Sequence, residues 1–199
     1  MKKYIFILSF FLSCIFYGNI DLFKDSIFLS LEKAKNDSSK VNLLHRIFTL
    51  TQNNNPKVAL QYAQEALALS EKLNFNLIKS YDNLAWIYKN LSEYEKSLQM
   101  YFKAEALALK YESPKKEIYV GKINRGLASV YACLNNYDLA IYKSQKAIQN
   151  YLILKDTFSI AANYLNMGNY YYYKSTYKEA LANYKIAEDY FNQINDTVR

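Results

Sequence analysis

Few residues in this chain have side chains that could carry out acid–base or nucleophilic chemistry. His45 is the only histidine, and a lone imidazole could serve as a general base or a phosphoacceptor. No glycine-rich phosphate loop, kinase motif or partner nucleophile accompanies it, so we expect His45 to have a groove-edge or packing role. Cys133 also lacks a motif histidine, and we expect it to be a small, half-buried residue at a helix end. The sequence therefore predicts no catalytic residue, metal site, cofactor or enzyme activity.

Composition limits the class of protein further. The chain has 199 residues, of which 51% are hydrophobic and 22% charged, with only four glycines and two prolines. These values favour one domain, or one array, of helices joined by short turns. The net charge is +7, but lysines alternate with acidic residues and arginine occurs only at 46, 125 and 199. Without a continuous basic stripe, nucleic acid is not an expected partner.

The N-terminus has the layout of a secretory signal. Lys2 and Lys3 precede the apolar run 4–17, which is shorter than the ~18–20 residues needed to span a bilayer. We predict a signal peptide over residues 1–19 and export to the periplasm. The alternatives are a lipoprotein carrying its lipid on Cys14 and an uncleaved N-terminal membrane anchor. A membrane contact is expected only through this leader or that lipid.

A pattern of small and aromatic residues recurs along the rest of the chain. Its clearest copy reads Tyr81-x-x-Leu84-Ala85-x-x-Tyr88, followed by Tyr94, Ser97, Tyr101 and Ala104. The same positions return as Leu127-Ala128-x-x-Tyr131 with Tyr137, Ala140 and Ala147, and as Met167-Gly168-x-x-Tyr171 with Tyr177, Ala180, Tyr184 and Ala187. The series resembles the tetratricopeptide repeat (TPR) family, whose repeat is a helix–turn–helix. An earlier, degenerate copy is marked by Ala59, Ala63 and Ala66.

The resemblance implies an all-α fold: an α-solenoid of antiparallel helix pairs, wound as a TPR-like right-handed superhelix. We predict an N-terminal capping helix over 20–37 and an array over 38–199. The repeats are predicted at 38–74, 75–113, 114–155 and 156–195. Ala85, Ala128 and Gly168 are expected to be small because the second helix of the same repeat crosses there at close range.

The resemblance also implies that the first helix of each repeat lines a concave groove. Residues of those helices not needed for packing are then the candidate peptide contacts: Lys79, Asp82, Asn83, Trp86, Lys89, Lys122, Arg125, Ser129, Asn166, Asn169, Tyr172 and Tyr173. Asparagine can bond both backbone groups of an extended peptide, and Lys79, Lys122 and Arg125 could meet a carboxylate. Ordinary surface exposure is the alternative for the lysines and asparagines, and packing on the next helix is the alternative for Tyr172 and Tyr173.

These expectations describe a non-catalytic scaffold that binds a protein or peptide. The alternative is the sensor region of a bacterial two-component kinase or transcription regulator, because similar exported arrays precede the effector part of such proteins. Self-association through the C-terminal helix is a further expectation, since a solenoid end normally needs a polar cap.

Overall fold

The computed structural model describes residues 27, 29–31, 34 and 36–197, and side chains as far as residue 194. The predicted signal peptide 1–19, with Cys14, lies outside the described residues. So does most of the predicted capping helix 20–37, of which residues 27 and 29–31 are described as helical.

Eight helices follow within residues 36–197, and no strand occurs there. They are α1 (Asp37–Thr51), α2 (Pro56–Leu73), α3 (Leu77–Asn90), α4 (Tyr94–Ala108), α5 (Lys115–Cys133), α6 (Tyr137–Leu154), α7 (Thr157–Tyr173) and α8 (Tyr177–Thr197). Consecutive helices form pairs, α1 with α2, α3 with α4, α5 with α6 and α7 with α8. Each pair overlaps one predicted repeat range, with α1 beginning one residue before 38–74 and α8 ending two residues after 156–195, and the repeat boundaries themselves stay a prediction.

The chain divides into two compact units between Asn76 and Leu77. The first unit contains α1 and α2, which begin at asparagine caps: Asn36 accepts a hydrogen bond from the Ser39 N–H, and Asn55 accepts one from the Val58 N–H. Such caps satisfy backbone donors that the helix itself leaves unpaired. His45 lies on α1 with no exposed surface, among buried aliphatic residues of the same helix. It therefore has the packing position expected from the sequence.

The second unit contains α3 to α8, and its three helix pairs share one turn geometry. Ser92, Asn135 and Ser175 adopt a left-handed backbone conformation, with φ of 62°, 58° and 63°. In each turn, the N–H of the following residue donates to a tyrosine carbonyl five positions earlier, at 2.8, 2.9 and 2.9 Å. This arrangement satisfies carbonyls that the helix end leaves open. The repeated turn holds each pair of helices antiparallel.

Small residues lie where paired helices of the second unit cross. Ala85 and Ala128 are buried, and the Ser97 hydroxyl of α4 donates to the Ala85 carbonyl at 2.6 Å. At Gly168, a β-carbon would lie 2.4 Å from the ring of Tyr184 on α8. The ring therefore occupies the space that a side chain would fill. This is the close approach predicted for these positions.

Successive pairs in the second unit bury a shared apolar core. α4 packs on α5, and α6 packs on α7. One cluster joins the last two pairs through Ile141, Ile148 and Tyr151 of α6 and Ile160, Met167 and Tyr170 of α7. Burial raises the pKa of Tyr170 to about 12, so the phenol stays neutral at physiological pH. None of the described helices combines the length and apolar character needed to cross a bilayer.

The packing at Gly168 predicts the effect of one methyl group. In an exposed helix interior, Gly→Ala normally stabilises by up to ~1 kcal/mol. Gly168→Ala should instead destabilise by about 1–3 kcal/mol, because Tyr184 must move away. Chemical unfolding followed by circular dichroism would measure this difference. In a Tyr184→Ala background the same substitution should lose its cost, and an equal cost in both backgrounds would contradict the assignment.

Candidate functional site

A cavity of about 330 Å³ lies in the second unit, on the side formed by the first helices of its three pairs. Of the twelve candidate contacts, seven line this cavity, namely Asp82, Trp86, Lys89, Lys122, Arg125, Ser129 and Asn166. Tyr101, Gly126 and Ala162 complete the lining. We refer to it as the α3–α5–α7 cavity.

Helical spacing explains why these side chains converge. Residues three, four and seven apart lie on one face of a helix. Asp82, Trp86 and Lys89 share such a face of α3, Lys122, Arg125 and Ser129 share one of α5, and Ala162 and Asn166 share one of α7. Because α3 contacts α5 directly, the three faces form one continuous lining. The sequence could predict this convergence because the repeat places equivalent faces side by side.

The cavity carries more positive than negative charge. Lys89, Lys122 and Arg125 line it together with a single carboxylate, that of Asp82. Burial raises the pKa of Asp82 above its ordinary value of 3.8, while Lys122, Arg125 and Lys79 oppose the rise. The raised pKa shows that loss of hydration outweighs the nearby cations. An anionic ligand would meet these cations in a partly desolvated site, where charge–charge attraction is stronger than in water.

Lys89 links two helices at the edge of the cavity. Its Nζ lies 3.3 Å from the Ser129 hydroxyl oxygen on α5 and 5.7 Å from the centre of the Trp86 ring. The ammonium group is therefore held by a hydrogen bond and by the face of an aromatic ring. A ligand at this edge meets a positioned cation beside a half-buried indole.

Tyr101 was not among the candidates, although its ring reaches the cavity from α4. The ring fits there because Gly126 on α5 has no side chain: a β-carbon at Gly126 would lie 2.3 to 2.5 Å from the Tyr101 ring and hydroxyl atoms. Burial strongly raises the pKa of Tyr101, with a smaller contribution from Asp82. The phenol is therefore neutral at any physiological pH. The only sequence signal for this contact was a glycine directly before the Leu127-Ala128 pair.

The remaining five candidates do not line the α3–α5–α7 cavity. Lys79 is exposed and acts on it only through its charge, while Asn83 is half-buried on α3. Asn169 accepts a hydrogen bond from the Tyr184 hydroxyl at 2.9 Å, so it supports packing of the last pair.

Tyr172 and Tyr173 belong to a separate ring cluster at the end of α7. Tyr173 stacks on Tyr137, and Tyr172 meets both Tyr173 and Tyr177 edge to face. Both rings remain more than half exposed. This arrangement resembles the packing alternative more closely than a groove contact.

Among the described residues, no group of three or more histidine, cysteine or acidic side chains could hold a metal ion. Cys133 is a free, exposed thiol, so the expectation of a half-buried residue was wrong. It occupies the last position of α5.

No protein-family model and no curated protein matches the sequence, but solved structures match the fold. BtubC (BKLC) from P. vanneervenii has a TM-score of 0.77 at 17% identity, and the match covers 90% of this chain and 76% of that one. The nearly identical TPR-like repeats of a Podosopora anserina putative kinesin light chain give 0.64 at 12% identity over 90% and 88%. The MamA RS-1 ArsTM double mutant gives 0.61 at 14% identity over 92% and 90%.

The fold is TPR-like. The all-α solenoid class predicted from the repeat pattern is confirmed, while the right-handed superhelix stays a prediction. At these identities the likeness concerns the fold and does not extend to particular ligands. TPR-like repeats form scaffolds that generally serve protein interactions.

Asp82 predicts a pH-dependent difference in stability. A carboxyl group whose pKa is raised by folding favours the folded state in acid, and that advantage disappears as the pH rises from 3.8 through the raised value. Asp82→Asn should therefore match wild-type stability at about pH 3 and exceed it at about pH 7. Urea unfolding across this range would measure the difference.

Asp189→Asn is the control, because Asp189 is exposed on α8 and loses little hydration on folding. A wild-type protein that becomes more stable than Asp82→Asn as the pH rises would contradict the desolvated position of Asp82.

Proposed function

We propose that this protein is a non-catalytic scaffold that binds an acidic segment of a protein or peptide in the α3–α5–α7 cavity. The observation that carries the proposal is the convergence of Lys89, Lys122 and Arg125 with Trp86 and Asn166 in one lining. Their types match the chemistry of a peptide ligand. Cations attract carboxylates, the amide bonds peptide groups, and the indole covers apolar surface.

Arg125 is the strongest candidate for the carboxylate contact. Guanidinium can bind a carboxylate through two parallel hydrogen bonds, a geometry that lysine does not offer. Arg125 lies between Lys122 and Ser129 on the cavity face of α5, and its charge acts on Asp82, Tyr101 and Tyr151. A ligand carboxylate near Arg125 would therefore lie close to the centre of the cationic region.

The volume limits what enters the cavity. At about 330 Å³, it is near the small end of ligand pockets, which run from ~300 to ~1,000 Å³. It suits one acidic side chain or a chain terminus, and the rest of a bound segment would lie along the half-buried faces of α3, α5 and α7. Affinity in the micromolar range, about −8 kcal/mol, is expected for such a contact.

Export to the periplasm remains part of this proposal and rests on the N-terminal sequence alone. The alternative, a sensor region of a bacterial signalling protein, would use the same cavity to detect its ligand. Self-association would involve α8, whose residues are not part of the cavity lining.

The single tryptophan of the chain supplies the measurement. Because Trp86 lines the cavity, a ligand that enters should change its fluorescence. We expect a glutamate-rich decapeptide to change the emission with a micromolar dissociation constant, and a lysine-rich decapeptide of equal length to have no effect. Arg125→Ala should weaken acidic-peptide binding about tenfold or more, equivalent to ~1.4 kcal/mol.

Lys178→Ala is the matched control, because it removes an exposed positive charge from α8 outside the cavity. It should leave the titration unchanged. Equal responses to the acidic and basic peptides, or an Arg125→Ala variant that binds as tightly as the wild type, would contradict the proposed site.

A further inference from the structure

The last described helix carries an apolar face that α7 covers only in part. Leu181, Tyr184, Ala187 and Phe191 of α8, together with Leu165 of α7, line a groove of about 550 Å³. Leu181 is 69% exposed and Leu165 is 42% exposed. An exposed stripe of this kind on a helix indicates a surface that a second element covers. We refer to it as the α8 face.

The internal repeat shows what kind of element fits this face. The α8 positions 181, 184, 187, 188 and 191 correspond, 40 residues earlier, to Ile141, Ser144, Ala147, Ile148 and Tyr151 of α6. All five residues of α6 are buried, and four of them, Ile141, Ala147, Ile148 and Tyr151, join residues of α7 in one core cluster. On the corresponding face of α8, Ala187 is buried and Tyr184 packs over Gly168, but Leu181 and Glu188 are exposed in the described structure. On α6, a helix is the element that covers this face.

Two charges on the α8 face distinguish it from its counterpart on α6. Glu188 replaces the buried Ile148, and Lys185 lies three residues before it; both are exposed and line the groove. A covering helix without a compensating charge would leave Glu188 desolvated and unpaired, which is costly.

The equivalent carboxylate on α4 shows how such a residue is accommodated. Glu105 lies 43 residues before Ile148, at the same repeat position. It accepts a hydrogen bond from the Lys143 ammonium of the following pair at 3.3 Å, and these side chains are 24% and 17% exposed. At this position, therefore, a carboxylate on the face toward the following pair is matched by a lysine of that pair, which comes from its second helix, α6.

We propose that the element covering the α8 face is α8 of a second copy of this chain, packed antiparallel about a twofold axis near Ile186 and Ala187. This arrangement sets Leu181 opposite Phe191 of the second copy and places Lys185 beside Glu188 of the second copy, twice by symmetry. The face thus supplies its own complement, because each copy carries both the carboxylate and the lysine that the carboxylate needs. The dimer is independent of peptide binding in the α3–α5–α7 cavity.

A charge exchange tests the pairing directly. The full chain, purified from a secreting host, should show twice the monomer mass by sedimentation equilibrium. Lys185→Glu and Glu188→Lys should each weaken the dimer about tenfold or more, because each change places like charges together at two points. The double variant Lys185→Glu/Glu188→Lys should restore the dimer, because the exchanged charges again meet opposite partners.

Leu181→Ser should weaken the dimer, while Leu152→Ser, which changes an exposed leucine of α6, should leave it intact. Circular dichroism would confirm that each variant keeps its helix content, as expected for exposed positions. A monomeric wild type, single charge variants that remain dimeric, or a double variant that fails to restore association would each overturn the proposal. A dimer broken by Leu152→Ser would place the interface elsewhere.

Discussion

The second unit depends on tyrosine rings that occupy the space left by missing side chains. Tyr184 lies over Gly168 within the last helix pair, and Tyr101 lies over Gly126 between two successive pairs. Each ring buries a large apolar surface while the glycine allows the helix backbone to come close. The two contacts act in different directions, one within a repeat and one between repeats. They fix how closely α8 approaches α7 and α4 approaches α5, and α5 and α7 are two of the three helices whose faces form the α3–α5–α7 cavity.

The cavity's electrostatics follow from this spacing. Lys122 and Arg125 would repel each other in a dry site that contained only cations, and the carboxylate of Asp82 offsets that repulsion. Burial itself destabilises the ionised form of Asp82, and the pKa of this carboxyl group is raised as a result. In the free protein, Asp82 is thus a counter-ion that keeps Lys122 and Arg125 in place, although these cations do not fully compensate the hydration that its carboxylate loses. A ligand carboxylate therefore finds its cationic partners already positioned, which reduces the ordering needed on binding.

Spacing along the chain predicted the helix pairs, because positions three, four and seven apart share a helix face, while the choice of the cavity-lining helices came from the resemblance to the TPR family. The spacing could not predict Tyr101, whose direction depends on a glycine in a different helix. The resemblance to the family also places Asn169, Tyr172 and Tyr173 on the groove. In the structure, Asn169 accepts a hydrogen bond from Tyr184. Tyr172 and Tyr173 pack against each other, and Tyr173 also packs on Tyr137. The exposure of Cys133 likewise depends on which side of α5 its neighbours cover. These differences arise from contacts between helices, which the spacing of residues along one helix cannot predict.

The repeat also explains why the second unit has both an apolar face between its pairs and a charged face at the cavity. Within each pair, the face toward the next pair is apolar and becomes buried when that pair is present, as α6 is by α7. In the second unit, the cavity face is not the face on which the next pair packs, so charged and amide side chains can lie there opposite one another, although burial still costs Asp82 part of its hydration. A charge on an inter-pair face, in contrast, is tolerated only with a matching charge across the contact, as Glu105 has in Lys143. Glu188 on the α8 face needs a matching charge in the same way. In the proposed dimer, Lys185 of the second copy supplies that charge without any change to the α3–α5–α7 cavity.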